Sequence, residues 1–195
     1  MSTDVDAGRR RFLTASVAVV GGVAAAGATV PFVAAWQPSE RARAIGAPIE
    51  VDISKMEPGQ MLVDKWRGQP VWIVNRTPEI LQALPGIDDR LRDPDSTQDQ
   101  QPAYARNEFR SIKPELLVLI GICTHLGCSP IKVNQDDAPL GAGWQGGFFC
   151  PCHGSTFDYA GRVYAGVPAP TNLVVPPHKY LSDTRILIGA DEGSA

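Results

Sequence analysis

The distribution of charged and apolar residues divides the chain into an uncharged stretch and a longer mixed part. No charged side chain occurs from Phe12 to Ser39, and this stretch directly follows Arg9-Arg10-Arg11. A helix over 12–36, rising about 1.5 Å per residue, would cross a bilayer core of about 30 Å. Arginines that flank such a helix stay on the cytoplasmic side. The pattern therefore predicts a cytoplasmic N-terminus at 1–11 and a transmembrane anchor at 12–36.

The arginines also match an export signal. Arg9-Arg10 followed by Phe12-Leu13 resembles the twin-arginine pattern of proteins that cross the membrane already folded. Positive-inside orientation explains the same arginines, and the two interpretations are compatible. Small residues at 24–28 would suit a cleavage site, although the apolar run continues past them.

Beyond the anchor, the pattern changes to that of short strands. The segment 37–48 is polar and weakly patterned, which predicts a flexible linker. Apolar residues then predict strands, two of which flank Arg67-Gly68 as in a hairpin. A short helix is expected from Pro78 to Leu84, with Thr77 as its N-cap. The strands are expected at 49–53, 61–63, 71–73, 116–120, 173–175 and 186–188.

Two segments of this part are rich in polar residues or glycine. Residues 86–108 are charged and rich in Asp, Gln and Pro, so we expect an exposed excursion with a solvated acidic face. Residues 135–147 are rich in glycine and are expected to form a mobile insertion, with Trp144 as a packing residue. The strands and turns together predict one mainly β domain at 49–195, an all-antiparallel sandwich.

Length and charge limit the class of protein. The chain of 195 residues suits one anchor and one globular domain large enough to bury its own core. A net charge of -3 and a pI of about 5.6 argue against a nucleic-acid partner, because phosphate binding needs clustered cations.

Chemically reactive residues concentrate in the stretch 122–158. It holds all four cysteines and two of the three histidines, in Cys123-Thr124-His125-Leu126-Gly127-Cys128 and Cys150-Pro151-Cys152-His153-Gly154-Ser155. Two thiolates and two imidazoles could close a tetrahedral zinc site, which would leave two cysteines without a role. A 2Fe-2S cluster with mixed sulfur and nitrogen ligands is the alternative. The third histidine, His178, is expected to be a surface or strand-end residue rather than a ligand.

The two sequences resemble the paired boxes of the Rieske iron-sulfur proteins, in the form carried by the Rieske subunit of the cytochrome bc complex, quinol-cytochrome c reductase. The resemblance extends to 163–176 and to the N-terminal anchor. It implies a single transmembrane helix followed by an antiparallel β-sandwich, with the cluster on loops at one tip of the domain. The cluster-binding subdomain would span about 115–172, and 37–48 would act as a hinge.

The resemblance also implies one 2Fe-2S cluster and a role for each residue around it. Cys123 and Cys150 would hold one iron and His125 and His153 the other. Cys128 and Cys152 would form a disulfide between the two loops, which requires an oxidising compartment. The quinol would contact His153, His125 and Leu126. Ser155 would donate a hydrogen bond to a bridging sulfide, and a rigid loop containing Gly166, Pro168 and Pro170 would shield the cluster from water.

One position departs from a common pattern of this family. Phe157 stands where many bc-type members carry a tyrosine whose hydroxyl donates to the first cysteine ligand. A phenyl ring cannot donate that hydrogen bond. We therefore expect a lower reduction potential, and a higher pKa of the exposed imidazoles, than in the tyrosine-bearing relatives.

The function implied is that of the electron-transfer subunit of a quinol-cytochrome c reductase, an oxidoreductase active only within its complex. The chain would accept an electron and a proton from quinol at the outer face of the membrane and would then reduce a c-type cytochrome. This electron transfer would be coupled to proton translocation. Expected partners are a cytochrome b subunit and a c-type cytochrome subunit in a dimeric complex of the bacterial inner membrane, with the Rieske domain periplasmic. Two alternatives stay open: the small Rieske subunit of a periplasmic oxidase of the arsenite oxidase type, and a structural zinc module.

Overall fold

The computed structural model describes residues 6–135 and 143–191. The chain forms two compact units, Met1–Ala44 and Ile45–Ala195. The first unit is built on helix α1, Ala7–Ala35, whose N-cap Asp6 accepts hydrogen bonds from the amides of Gly8 and Arg9. Its 29 residues extend about 44 Å, and the helix is long and apolar enough to cross a membrane. The predicted helix is therefore present, and it begins before the uncharged run.

The segment predicted as a weakly patterned linker contains a second helix, α2, at Glu40–Gly46. Its first turn is capped by Ser39, whose hydroxyl accepts from the Ala42 amide at 3.2 Å, and it carries an ion pair between Arg43 and Glu40 at 2.6 Å. A serine cap followed by good helix formers explains why these residues are helical. The sequence pattern did not predict this helix, and the role of 37–48 as a flexible linker stays a prediction.

The second unit is mainly β, as predicted. Its described residues contain three antiparallel three-stranded sheets, in the orders β1-β9-β8, β2-β3-β4 and β5-β6-β7. The strands are β1 Ile49–Asp52, β2 Met61–Trp66, β3 Gln69–Asn75, β4 Leu116–Ile120, β5 Ile131–Val133, β6 Gly147–Cys150, β7 Ser155–Phe157, β8 His178–Ser182 and β9 Arg185–Ile188.

Two local predictions are confirmed in this unit. The turn between β2 and β3 has positive φ at both central residues, 51° at Arg67 and 79° at Gly68, as a two-residue hairpin of type I′ requires. The short helix α3 spans Pro78–Ala83, and the Thr77 hydroxyl accepts from the Ile80 amide at 3.4 Å.

Strand β4 is apolar throughout because it is buried on both faces. Leu117 and Leu119 belong to a cluster that includes both free cysteines, whereas Leu116, Val118 and Ile120 pack with β1 and β9. The first of these clusters also joins β3 to β6, since the rings of Trp72 and Phe148 stack with centroids 5.0 Å apart. The loops that follow β4 and β6 therefore start from a shared, well-packed core.

The segment 86–108 is exposed over more than half of its length, and its acidic residues other than Asp93 face solvent as predicted. It contains buried Ile87, Leu91 and Ala105, and short 3-10 helices at Leu84–Arg90 and Ala103–Ala105. The Asp93 carboxylate is buried and accepts from the Thr97 amide and hydroxyl, both at 2.8 Å, and from the Gln98 amide at 3.1 Å. The prediction was wrong for Asp93, because its carboxylate accepts hydrogen bonds from backbone amides inside the fold rather than facing water.

The strand predicted at 173–175 is also absent. Leu173 and Val175 are buried, but the three residues bond to three separate segments, through Gly161, Ile120 and Gln100, so no ladder forms. The strand lies instead at His178–Ser182. Of the predicted insertion 135–147, residues 136–142 lie outside the described part of the chain. Trp144 is buried against the ring of Tyr164, with centroids 5.6 Å apart, which confirms its packing role.

Candidate metal centre

Two loops form the candidate site, one after β4 and one between β6 and β7. In the first loop, the Cys123 amide donates to the Cys128 carbonyl at 2.7 Å and the Gly127 amide to the Cys123 carbonyl at 3.1 Å. In the second, Cys150 and Ser155 pair across the hairpin, and the Gly154 amide donates to the Cys150 carbonyl at 2.9 Å. Both turns need a left-handed residue, with φ of 82° at Gly127 and 78° at Gly154.

The four predicted ligands form two pairs, with the two sulfurs buried and the two imidazoles nearer the surface. Cys123 and Cys150 are both 2% exposed and neither is in a disulfide. The rings of His125 and His153 meet edge to face, with centroids 4.7 Å apart. His125 is half-buried and His153 exposed. The arrangement places two thiols at the core and two imidazoles where an approaching molecule can reach them.

The environment of Cys123 suits a metal-bound thiolate. Burial raises the pKa of its thiol, and the adjacent Cys150 thiol raises it further. The amide of His125 and the hydroxyl of Ser155 act in the opposite direction by hydrogen bonding to the sulfur. A buried pair of sulfurs carries charge only when a metal ion neutralises it, and coordination deprotonates a thiol outright. The donor set therefore fits a metal centre better than a reactive free cysteine.

A disulfide joins the two loops, as predicted. Cys128 and Cys152 are bonded, with their Cα atoms 6.7 Å apart. The sulfur atoms of Cys128, Cys150 and Cys152 all lie within 4.8 Å of one another. Because two of these three sulfurs are in the disulfide, they are not available as thiolate ligands. The remaining donors are the two cysteines and two histidines described above.

A loop at 166–170 lies against both cluster loops. The Ala169 amide donates to the Ser155 hydroxyl at 3.0 Å, and the Thr124 hydroxyl donates to the Thr171 carbonyl at 2.7 Å. Gly166, Pro168 and Pro170 are exposed, whereas Ala169 is fully buried. We call residues 166–170 the proline loop. Val167 and Ala169 of this loop pack in the same core cluster as Cys123 and Cys150; the shielding role predicted for the loop stays a prediction.

The remaining predicted site residues lie around these loops. Leu126 is 71% exposed, which leaves an apolar side chain at the tip. Ser155 and Phe157 are both fully buried, and Phe157 pairs with Phe148 across β6 and β7. The roles predicted for them stay predictions: contact with quinol for Leu126, donation to a sulfide for Ser155, and lack of donation to sulfur at Phe157.

A layer of buried charge below the site was not predicted from the sequence. Arg162 donates to the Asp158 carboxylate at 2.7 Å, with both side chains 1% exposed. Arg110 donates to the carbonyls of Ala160 at 3.1 Å and Leu173 at 2.7 Å, and burial lowers its pKa to about 10. The Asp-x-x-x-Arg spacing at 158–162 was a usable signal for the ion pair. Arg110 gave none, because the carbonyls that it binds, those of Ala160 and Leu173, lie 50 and 63 positions away.

Arg76 belongs to the same buried layer. It donates to the carbonyls of Pro114 at 2.8 Å and Tyr159 at 3.0 Å, and to the Ser111 hydroxyl at 2.8 Å. Burial lowers its pKa to about 10. One guanidinium, at the end of β3, thus joins the segment before β4 to the segment after β7.

His178 lies outside the candidate site. It begins β8, so the strand-end prediction is confirmed, but it is fully buried rather than on the surface. Its Nδ1 atom is 2.8 Å from the Pro176 carbonyl, and burial lowers its pKa. The Tyr104 hydroxyl bonds to both backbone groups of His178, at 2.8 and 2.9 Å. These contacts indicate a structural role.

Two family models match the chain. The Rieske [2Fe-2S] domain matches residues 96–177, and the model described as "Ubiquitinol-cytochrome C reductase Fe-S subunit TAT signal" matches residues 1–39. The ubiquinol-cytochrome c reductase iron-sulfur subunit of Allochromatium vinosum is 62% identical over 190 residues, covering 96% of this chain and 91% of that protein. The subunit of the same name from Blastochloris viridis is 41% identical over 189 residues, covering 97% of both. A solved structure titled "Hyperthermophilic respiratory Complex III" aligns with a TM-score of 0.48 and 26% identity, over 89% of this chain and 98% of that one.

Proposed function

The chain belongs to the Rieske iron-sulfur subunits of ubiquinol-cytochrome c reductase, and from that premise we propose that it takes one electron and one proton from a quinol and reduces a c-type cytochrome. It carries a Rieske-type 2Fe-2S cofactor and is an electron-transfer subunit of a cytochrome bc complex. The observation that carries the proposal is the arrangement of two buried thiols beneath two accessible imidazoles on adjoining loops.

We assign the sulfur ligands to Cys123 and Cys150 and the nitrogen ligands to His125 and His153. When bound, such a cluster supplies one-electron transfer at about -150 to +300 mV, because neutral imidazoles replace two thiolates. The four donors taken alone would also suit a tetrahedral zinc ion. The match of residues 96–177 to the Rieske domain supports the cluster instead.

The two histidines can also accept the proton that the quinol releases. Each imidazole binds a metal through one ring nitrogen and keeps the other for hydrogen bonding and titration. Hydrogen bonding to a quinol requires that the free ring nitrogen be accessible from solvent. His153 is exposed, while His125 is half-buried. His153 is therefore the better placed of the two to bond a quinol hydroxyl. The exposed side chain of Leu126 would contact the apolar part of the quinol.

Membrane attachment follows from the N-terminal segment. Helix α1 and the match of residues 1–39 to the TAT signal of these subunits fit a membrane-anchored bacterial protein. We place its N-terminus in the cytoplasm and the second unit in the periplasm, where a disulfide persists. Its partners in a dimeric complex would be a cytochrome b subunit, which completes the quinol pocket, and a c-type cytochrome subunit. Proton translocation would be coupled to this transfer.

Electron paramagnetic resonance on membranes that contain the full chain tests the proposal. After reduction with ascorbate, the wild type should give the signal of a mixed-ligand 2Fe-2S cluster, and His153→Gln should lose it. His178→Gln is the matched control, because it alters a histidine outside the site and should keep the signal. Extraction in mild detergent should co-purify a cytochrome b. A chain that binds zinc and gives no signal, or that purifies without a cytochrome b, would overturn the proposal.

A further inference from the structure

The proline loop is attached to the fold largely through side chains. Pro168 and Pro170 have no amide hydrogen, so this segment cannot form a regular ladder. Three side chains from three different segments hydrogen-bond to the loop or to Thr171 beside it. Two of them, from Ser155 and Thr124, belong to the cluster loops and their strands. The third is Arg92, whose guanidinium donates to the Val167 carbonyl at 2.9 Å.

The backbone of Arg92 is itself fixed beside the start of the proline loop. The Arg92 amide donates to the Val163 carbonyl at 2.9 Å, and the Ala165 amide donates to the Arg90 carbonyl at 2.8 Å. Leu91 and Tyr164 form the antiparallel bridge between these two bonds. Residues 90–92 therefore run alongside 163–165.

The end of the proline loop is attached to the same segment. The side-chain amide of Asn172 donates to the Asp93 carbonyl at 3.0 Å and accepts from the Val163 amide at 2.8 Å. Residues 90–93 thus hold the chain on both sides of the loop, and the Arg92 side chain bonds to its second residue, Val167. The arginine head is permanently charged, and a charged donor makes a stronger hydrogen bond to a carbonyl than a neutral one does.

We propose that Arg92 is a positioning residue that holds the proline loop over the inner sulfurs of the cluster. Fixing the Val167 carbonyl places the Ala169 amide, which donates to the Ser155 hydroxyl. Ser155 pairs with Cys150 across the β6–β7 hairpin, beside the inner sulfurs. A change at Arg92 would therefore reach the cluster through the loop and the serine, without direct contact. The inference rests on the proposed function, since it takes the two thiols to be ligands.

Hydrogen–deuterium exchange on the full chain in its complex tests this position directly. Within 166–170 only Gly166, Val167 and Ala169 carry an amide hydrogen. The Arg92 side chain is exposed, so Arg92→Gln should raise the exchange rate of this segment by roughly twofold to tenfold, the net effect of losing one hydrogen bond. Arg92→Lys keeps the charge and one donor, and should give an intermediate rate. Arg106→Gln, an exposed arginine of the same region, should change nothing.

A second measurement separates positioning of the cluster from a purely structural role. Arg92→Gln should shift the midpoint potential and the line shape of the reduced cluster, at unchanged cluster content, whereas Arg106→Gln should not. Wild-type exchange and wild-type potential in Arg92→Gln would overturn the inference. If Arg92→Gln does not accumulate, Arg92→Lys compared with Arg106→Lys decides by the same two readouts. Absence of a Rieske signal in the wild type would instead refute the proposed function. The hydrogen–deuterium exchange rates would still show whether Arg92 holds the proline loop.

Discussion

Removal of the disulfide between the cluster loops should destabilise the histidine side of the site before the cysteine side. Both cysteines must be replaced, in Cys128→Ser with Cys152→Ser. A single replacement leaves one free thiol close to Cys150, since all three sulfurs lie within 4.8 Å of one another, and that thiol would compete as a ligand. Cys123 and Cys150 remain packed in the core and hydrogen-bonded within their loops.

The size of the effect follows from the length of chain that the disulfide closes. A sequence separation of 24 corresponds to a lost loop-closure term of about 3.5 kcal/mol at 25 °C. This is a large part of the roughly 5–15 kcal/mol that stabilises an ordinary domain. For a domain of this size, each kcal/mol lowers the melting temperature by about 2–4 °C. The double variant should therefore lose its cluster at a temperature roughly 7–14 °C lower.

The assay is a temperature series on membranes, in which the paramagnetic signal of the reduced cluster is recorded after each heating step. The haem absorbance of the same sample serves as the internal reference for the rest of the complex. Ser129→Ala, on the exposed surface of the first loop, is the control and should match the wild type. If the double variant kept the wild-type temperature of half-loss, the disulfide would contribute nothing to holding the loops and the reasoning would be refuted.

Two further predictions concern the core beneath the loops. Phe157→Tyr should raise the midpoint potential of the cluster by about 60 mV. This shift corresponds to a new hydrogen bond that favours the reduced state by about 1.4 kcal/mol. A redox titration with an unchanged midpoint potential would contradict the role assigned to this position. Gly147→Ala should prevent cluster incorporation, because its Cβ would lie 2.1 Å from the Phe157 carbonyl oxygen and φ is 146° there. Gly86→Ala, where a Cβ meets nothing within 4 Å, is the control, and equal cluster content in both variants would count against the argument.

The site divides two tasks between its two kinds of ligand. The thiols share a core with Trp72 and Phe148, where rigid packing holds them in place. The imidazoles lie on loop tips, where a partner can reach them. This division needs adjacent loops that start from one core and are bonded to each other, and the fold supplies both through β4, the β6–β7 hairpin and the disulfide.

Prediction from the sequence failed for the few polar residues of 86–108 that are buried. Asp93 and Gln101 lie in a polar segment, yet both are buried and hydrogen-bonded to backbone groups nearby. The strand expected at 173–175 failed for a related reason: its apolar residues are buried, but their backbone groups bond to three unrelated segments. Amino-acid composition shows whether a side chain is polar or apolar, but it does not show which group that side chain contacts in the fold.

Features that depend on neighbours along the chain could be predicted from the amino-acid order alone. The uncharged run of α1, the apolar run of β4, the Arg67-Gly68 turn and the donor types within each cluster loop are all local properties, and each was predicted. Tertiary structure decided what depends on distant partners. The contact of Arg92 with Val167 joins residues 75 positions apart, and that of Arg76 with Tyr159 joins residues 83 apart. No local pattern encodes such pairs, because they form only when the whole core brings these segments together.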